Sequence, residues 1–118
     1  MNYAFICTDD GDQSELRSKH LIEHLRYVES NLDKVVIAGP CAPSDPKDKR
    51  QFQGSIMVYK AETETIARAL FEGDPYVKNG VWAQVRMMPF NPVAGVLLGG
   101  QTWVIEGDQA RLAEPHGL

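Results

Sequence analysis

Long apolar runs, clustered positive charge and a cysteine framework are all missing from this sequence. The longest apolar run is VAGVLL, Val93–Leu98. That is far short of the roughly 20 residues a membrane-spanning helix needs, so no membrane association is expected. The opening MNYAFICTDDGDQ has no basic start and reaches acidic side chains by Asp9, unlike a secretory leader. Lys and Arg number 12 against 16 Asp and Glu, a formal charge of −4. Phosphate binding needs clustered cations, so nucleic acid is not an expected partner. The densest charged stretch, DPKDKR at Asp45–Arg50, mixes signs and reads as a solvated loop. The two cysteines, Cys7 and Cys41, have no CxxC spacing. They read as free buried thiols in a reducing compartment, and a cytoplasmic protein is expected. Gly99-Gly100 fits no G-x-G-x-x-G or P-loop pattern, and Ser55 sits in no G-x-S-x-G elbow. Neither a nucleotide cofactor nor a serine nucleophile is expected.

What is present is an ordinary globular composition, 43% apolar and 24% charged in 118 residues. One domain fits that length. Asn2–Thr8 is short, aromatic and β-branched, and reads as a strand. From Ser14 to about Asn31 one helix is expected, with Leu21, Leu25, Val28 and Leu32 forming its apolar stripe. Lys34–Pro40 is a continuous β-branched run, which predicts a strand central in its sheet or buried on both faces. Gly54–Ala61 is a third strand. ETETIARALFEG is a second helix, with Ile66, Ala67, Leu70 and Phe71 at helical spacing and Gly73 as its C-terminal cap. Val81–Asn91 is a fourth strand, expected to place Val81, Ala83, Val85 and Met87 on one side.

The order β-α-β-β-α-β predicts an α+β, ferredoxin-like fold: a four-stranded antiparallel sheet with two helices on one face. The other face is left bare. A bare apolar sheet face is usually an association surface, so a sheet-to-sheet homodimer is expected. The domain is placed at 1–92. Residues 93–118, with a strand-like piece at Thr102–Ile105, form a C-terminal extension expected to pack on the sheet edge or on a partner subunit.

Histidine is scarce: His20, His24 and His116. Arg17, His20 and His24 fall on one flank of the first helix's apolar stripe, where a cleft-lining group would sit. HLIEH, His20–His24, matches H-x-x-E-H, in which two histidines hold zinc. No third ligand is specified, and Arg17 on the same flank opposes a cation, so no metal is expected. Both histidines read equally well as surface residues beside the core, with Arg17 a solvated charge whose stem covers apolar surface. Asp74, in EGDPYVKNG, suits an N-cap with Pro75 at the first helical position, accepting N–H bonds from residues such as Tyr76 or Val77. A capping carboxylate is also held rigid and ionised, as a group that orients an imidazole must be.

RSKHLIEHL, VVIAGP, GSIMVYKAET and FEGDPYVKNGVWAQVRMMPFN together resemble the YciI-like (YCII-related) family over about residues 1–92, with DPYVKNG the most specific piece. The resemblance implies a dimer of ferredoxin-like subunits. Each has a cleft lined by a histidine of the first helix and the aspartate of the D-P-[YF] block. Carried onto this chain, these are His20 and Asp74, with Arg17 and Ser55 matching positions that line the same cleft as substrate-binding residues. His24, on the same helix flank, is the further substrate-binding candidate. The fold also resembles muconolactone isomerases and small cofactor-independent monooxygenases, and one branch of the family removes chloride from a chlorinated hydroxyhydroquinone. The resemblance thus implies a cofactor-free acid–base enzyme for isomerisation or elimination on a small enolic or aromatic molecule. The alternative is a non-catalytic small-molecule-binding or accessory dimeric module.

Overall fold

The computed structural model describes residues 1–112. His116 lies outside the described residues. Strand β1 (Asn2–Asp9) leads into two short helices, α1 (Ser14–Lys19) and α2 (Leu21–Ser30). A 3-10 turn then enters β2 (Val35–Cys41), and a long loop returns the chain along β3 (Gly54–Lys60). Helix α3 (Glu64–Glu72), the single turn α4 (Pro75–Lys78) and β4 (Trp82–Phe90) complete the body. The sheet order is β2-β3-β1-β4, with every neighbouring pair antiparallel. This is the expected ferredoxin-like arrangement.

Alternation along the strands decides which side is core. Tyr3, Phe5 and Cys7 of β1 stand opposite Tyr59, Met57 and Ser55 of β3, and all six are buried. Phe71 of α3 stacks on Phe5 at 4.3 Å between centroids, and Trp82 packs on Phe71 at 5.7 Å. Thr63 caps α3 by accepting from the Ile66 amide. The opposite sheet face exposes Ile37, Ile56, Met88 and Phe90.

Three expectations are corrected. First, the helix from Ser14 to Asn31 is broken at His20, which ends α1 and caps α2 with φ −107° and ψ 12°. No Gly or Pro marks the break. Two buried anchors hold the segments instead, Arg17 on Asp9 and His24 on Asp74. Second, β2 is an edge strand, hydrogen-bonded to β3 alone and largely exposed. Its apolar residues divide between the core side and an open face that is itself apolar, which imitates the composition of a central strand. Third, a register shift at Thr8/Asp9 pairs Asp9 with Trp82 and leaves Ala83 exposed. The bulge turns Trp82 into the core and breaks the alternation read from Val81 to Met87. Gly73 caps α3 as expected, with φ −75°, an ordinary helical value. Glycine is needed there for space, because a Cβ would collide with the Tyr27 hydroxyl.

The chain after Phe90 forms two separate ladders, β5 (Ala94–Gly95) with β6 (Gly100–Gln101), and β7 (Trp103–Glu106) with β8 (Gln109–Leu112). Neither ladder joins the main sheet. Leu98 and Thr102 are buried, whereas Val96 is 94% and Leu97 78% exposed.

Gly54 sets how closely β3 approaches β1 beside the site. A Cβ there would run into the Cys7 carbonyl oxygen, a backbone atom that cannot step aside. Gly54→Ala is expected to destabilise the fold by about 1–3 kcal/mol, the usual cost of overpacking. Urea denaturation of wild type and variant measures it.

Candidate active site

Asp74 precedes α4, and its placement follows from local chemistry. Pro75 fixes the first helical φ, and Asp74 supplies the capping oxygen. Its Oδ1 accepts the Tyr76 amide at 2.9 Å. The same oxygen meets His24 Nδ1 at 2.7 Å. Asp74 is 0% exposed and His24 keeps 15% of its side chain accessible. The imidazole lies flat on the Tyr76 ring, 3.9 Å between centroids and 4° between planes. Asp74 therefore orients the ring from one edge while Tyr76 supports it from one face. With Nδ1 turned to a carboxylate, the ring presents Nε2 as its remaining nitrogen.

The expected pair of His20 with Asp74 does not form. His20 sits at the helix break and its Nδ1 faces Glu23 Oε2 at 3.3 Å. Expected as one flank, Arg17, His20 and His24 keep only Arg17 and His24 around the same cavity. The two roles foreseen for Asp74, cap and imidazole partner, also fall on one oxygen rather than two. Among the described residues, no group of three His, Cys, Asp or Glu side chains converges as metal ligands would.

Arg17 is a structural anchor as well as a wall. Nε and Nη2 donate to the two oxygens of Asp9, both at 2.7 Å, in a bidentate pair. Nη2 also donates to the Gly54 carbonyl at 3.0 Å and to Ser55 Oγ at 3.1 Å. Nη1 has no protein partner among the described residues. The Phe52 ring covers the guanidinium at 5.1 Å and the Tyr76 ring at 5.6 Å. Tyr76 returns the connection by donating its hydroxyl to the Arg17 carbonyl at 2.9 Å.

These groups enclose a cavity of about 530 Å³ between α1–α2, the edge of β2 and β3, and the loop before β3. Leu21, Leu25, Val28, Pro40 and Met57 give it apolar walls, and Arg17, His24 and Ser55 are among its polar groups. Among the described residues, no acidic side chain lines it. A small, largely apolar molecule with an oxygen or two suits such a cleft. Asp9, Tyr76 and Phe52 were not foreseen as site residues. DPY did hold a signal for Tyr76, since the residue two beyond an N-cap sits over it. Asp9 and Phe52 are brought in by tertiary contacts with no local motif. Beneath the site, burial pushes the Cys7 thiol up to about 12, with help from the Asp74 and Asp9 charges, so it stays protonated.

Breaking a buried ion pair from one side leaves an uncompensated charge, typically costing about 3–5 kcal/mol. Arg17 and Asp9 are 8% and 4% exposed. Asp9→Asn is therefore expected to lower stability by that order while leaving the His24–Asp74 contact in place. Thermal unfolding, together with the His24 ring signals in NMR, reads both parts.

The YCII-related domain model matches residues 1–91. The curated Protein YciI of Escherichia coli O6:H1 is 31% identical over 97 residues, which is 79% of this chain and 99% of the relative. Protein YciI of Shigella flexneri matches to the same extent. Among solved structures, 5-chloro-2-hydroxyhydroquinone dehydrochlorinase from Burkholderia phenoliruptrix AC1100, in complex with 2,5-dihydroxybenzoquinone, superposes with a TM-score of 0.68 at 23% identity. That match covers 81% of this chain and 97% of the dehydrochlorinase, and it establishes the shared fold. The length of the family match and the coverage of the relatives agree on one assignment: the chain belongs to the YCII-related family.

Proposed function

We propose that the protein is a cofactor-independent acid–base enzyme acting on a small phenolic or enolic molecule, with His24 as the proton-transfer group and Asp74 as its partner. The observation that carries this reading is the 2.7 Å contact of His24 Nδ1 with buried Asp74 Oδ1, at the wall of an accessible cavity. Candidate dyads are expected within about 2.6–3.2 Å. Asp74 accepts a hydrogen bond from His24 Nδ1–H, which leaves the Nε2 lone pair free to take a proton from substrate. Arg17 lines the same cavity, and its Nη1, without a partner among the described residues, suits a developing oxyanion. In an elimination, Nε2 takes the proton, its bonding pair moves into the substrate, and halide leaves with the carbon–halogen pair. The net loss is one hydrogen halide. In an isomerisation the same nitrogen returns the proton to another carbon. The dehydrochlorinase neighbour, held with a dihydroxybenzoquinone, makes chlorinated hydroquinones the first substrates to try.

Turnover on a panel of chlorinated hydroquinones and enol lactones tests the dyad. His24→Ala and Asp74→Asn are expected to lower kcat/KM by about 10²–10⁴, the usual worth of general acid–base help. His20→Ala is expected to stay within a few-fold of wild type on the same scale. Because Asp74 also caps α4, each variant is first checked for folding by circular dichroism. Wild-type activity in folded His24→Ala sinks the enzyme reading. A panel member that raises Tm without turning over supports the binding-module alternative.

The working unit we propose is a homodimer formed through the open sheet face. Ile37, Ile56, Met88 and Phe90 expose a shared apolar surface there, the kind that marks association sites. Ile56→Lys places a charge within that patch. It is expected to shift the sedimentation coefficient from dimer to monomer while the fold persists. A monomeric wild type at micromolar concentration overturns the proposal.

A further inference from the structure

Asp74 is held on one side only. Oδ1 carries both the Tyr76 amide and His24, while Oδ2 is fully buried and has no hydrogen-bond partner among the described residues. Leaving a carboxylate oxygen dry is costly, and buried polar groups in native proteins are almost always paired, often through water. The Tyr59 hydroxyl and Trp82 Nε1 are the other buried side-chain polar atoms without partners. Trp82 packs on Phe71 and edge-on against Tyr76, the residues that flank Asp74, so its Nε1 is a second unpaired donor in this region, while Tyr59 stands opposite Tyr3 and reaches it from the β3 side.

Tyr59 and Asp74 share a neighbourhood. Tyr59 is 1% exposed and meets Phe5 edge-on at 5.9 Å. Phe5 stacks on Phe71, whose carbonyl accepts the Asp74 amide at 3.1 Å. Burial, and then the Asp74 and Tyr27 charges, raise the Tyr59 hydroxyl well above the ordinary phenol range. Burial, and after it the Asp74 charge, likewise raises Cys7 and Tyr27. Tyr59 therefore lies within the field of this carboxylate and keeps its proton, so it is a donor. One buried donor and one buried acceptor, neither satisfied, are the conditions under which an internal water is held.

We propose that Tyr59 is a positioning residue for the His24–Asp74 pair, donating to Asp74 Oδ2 through one buried water. The water accepts from the Tyr59 O–H and donates to Oδ2. Both carboxylate oxygens are then fixed, and rotation of the carboxyl group away from His24 is opposed. Tyr59 touches no substrate in this arrangement, since it does not line the cavity.

The decisive measurement needs no substrate, so its failure is distinct from failure of the enzyme reading on which the proposal's importance rests. In ligand-free protein, the His24 Nδ1 proton is expected downfield in the ¹H spectrum. Tyr59→Phe removes the donor and keeps the ring. It is expected to move that signal upfield and speed its exchange with solvent. Tyr27→Phe is the control, because Tyr27 also lies near Asp74 but donates to the Leu70 carbonyl. It is expected to leave the signal in place. A high-resolution crystal structure should hold a water within about 2.6–3.2 Å of both atoms. With a substrate in hand, Tyr59→Phe should lower kcat by about tenfold, the size of one hydrogen bond to a charged group, at unchanged KM. An unmoved Nδ1 signal in folded Tyr59→Phe, or no water between the two groups, overturns the proposal.

Discussion

A carboxylate with no solvent exposure holds the site together. Burying Asp74 is unfavourable unless its charge is met by hydrogen bonds. Oδ1 meets that demand by taking the Tyr76 amide and His24 together. One oxygen thereby ties the start of α4 to the middle of α2, two elements fifty residues apart in the chain. The stacked Tyr76 ring closes the triangle, since it belongs to α4, supports His24 and donates to the Arg17 carbonyl in α1. Stability and the geometry of the candidate site share the same atoms here. A site built this way is rigid where the imidazole is held, because moving the imidazole also uncaps a turn.

The second buried pair does for the cavity's other side what Asp74 does for His24. Arg17 is fixed by Asp9 through a fork, and the same guanidinium reaches the Gly54 carbonyl and Ser55. It links β1, α1 and β3 in one step. Its charge is largely spent on Asp9, so it is a better oxygen-positioning donor than a long-range attractor of anions. What the cleft offers a ligand is then mostly shape, with few hydrogen-bonding groups. Phe52, lying over the guanidinium, makes the loop before β3 part of that shape.

The β-α-β-β-α-β order was legible because it depends on local signals: β-branched runs, helical spacing of Leu21, Leu25 and Val28, and the Asp-Pro turn. Strand neighbours were less so. Composition reports that the faces of β2 are apolar, but not whether a second strand or an open face is the reason. The bulge at Thr8/Asp9 was invisible because nothing local requires it. It is set by fitting Trp82 against Phe71 and Tyr76. The largest departure concerned the histidines. Arg17, His20 and His24 share a flank only if the helix is continuous. The break at His20 arises from two side-chain anchors on separate elements, and no residue type in SKHLI announces it. Asp74 could be singled out from its own neighbours, whereas its partner could not.

The same reasoning explains why the less obvious histidine is the better candidate for proton transfer. His20 has an exposed glutamate as its partner, a pair in which water screens the interaction and long side chains move freely. His24 has a buried one, held by a backbone amide and covered by an aromatic ring. An imidazole aimed from a fixed carboxylate loses little freedom when substrate arrives, and restricting that freedom in advance is a large part of what a catalytic site contributes. The helix break that takes His20 out of the row interrupts regular structure at that one residue. The two anchors act independently, one on Arg17 and one on His24, so the guanidinium and the imidazole are each held at the cavity wall by a carboxylate of their own.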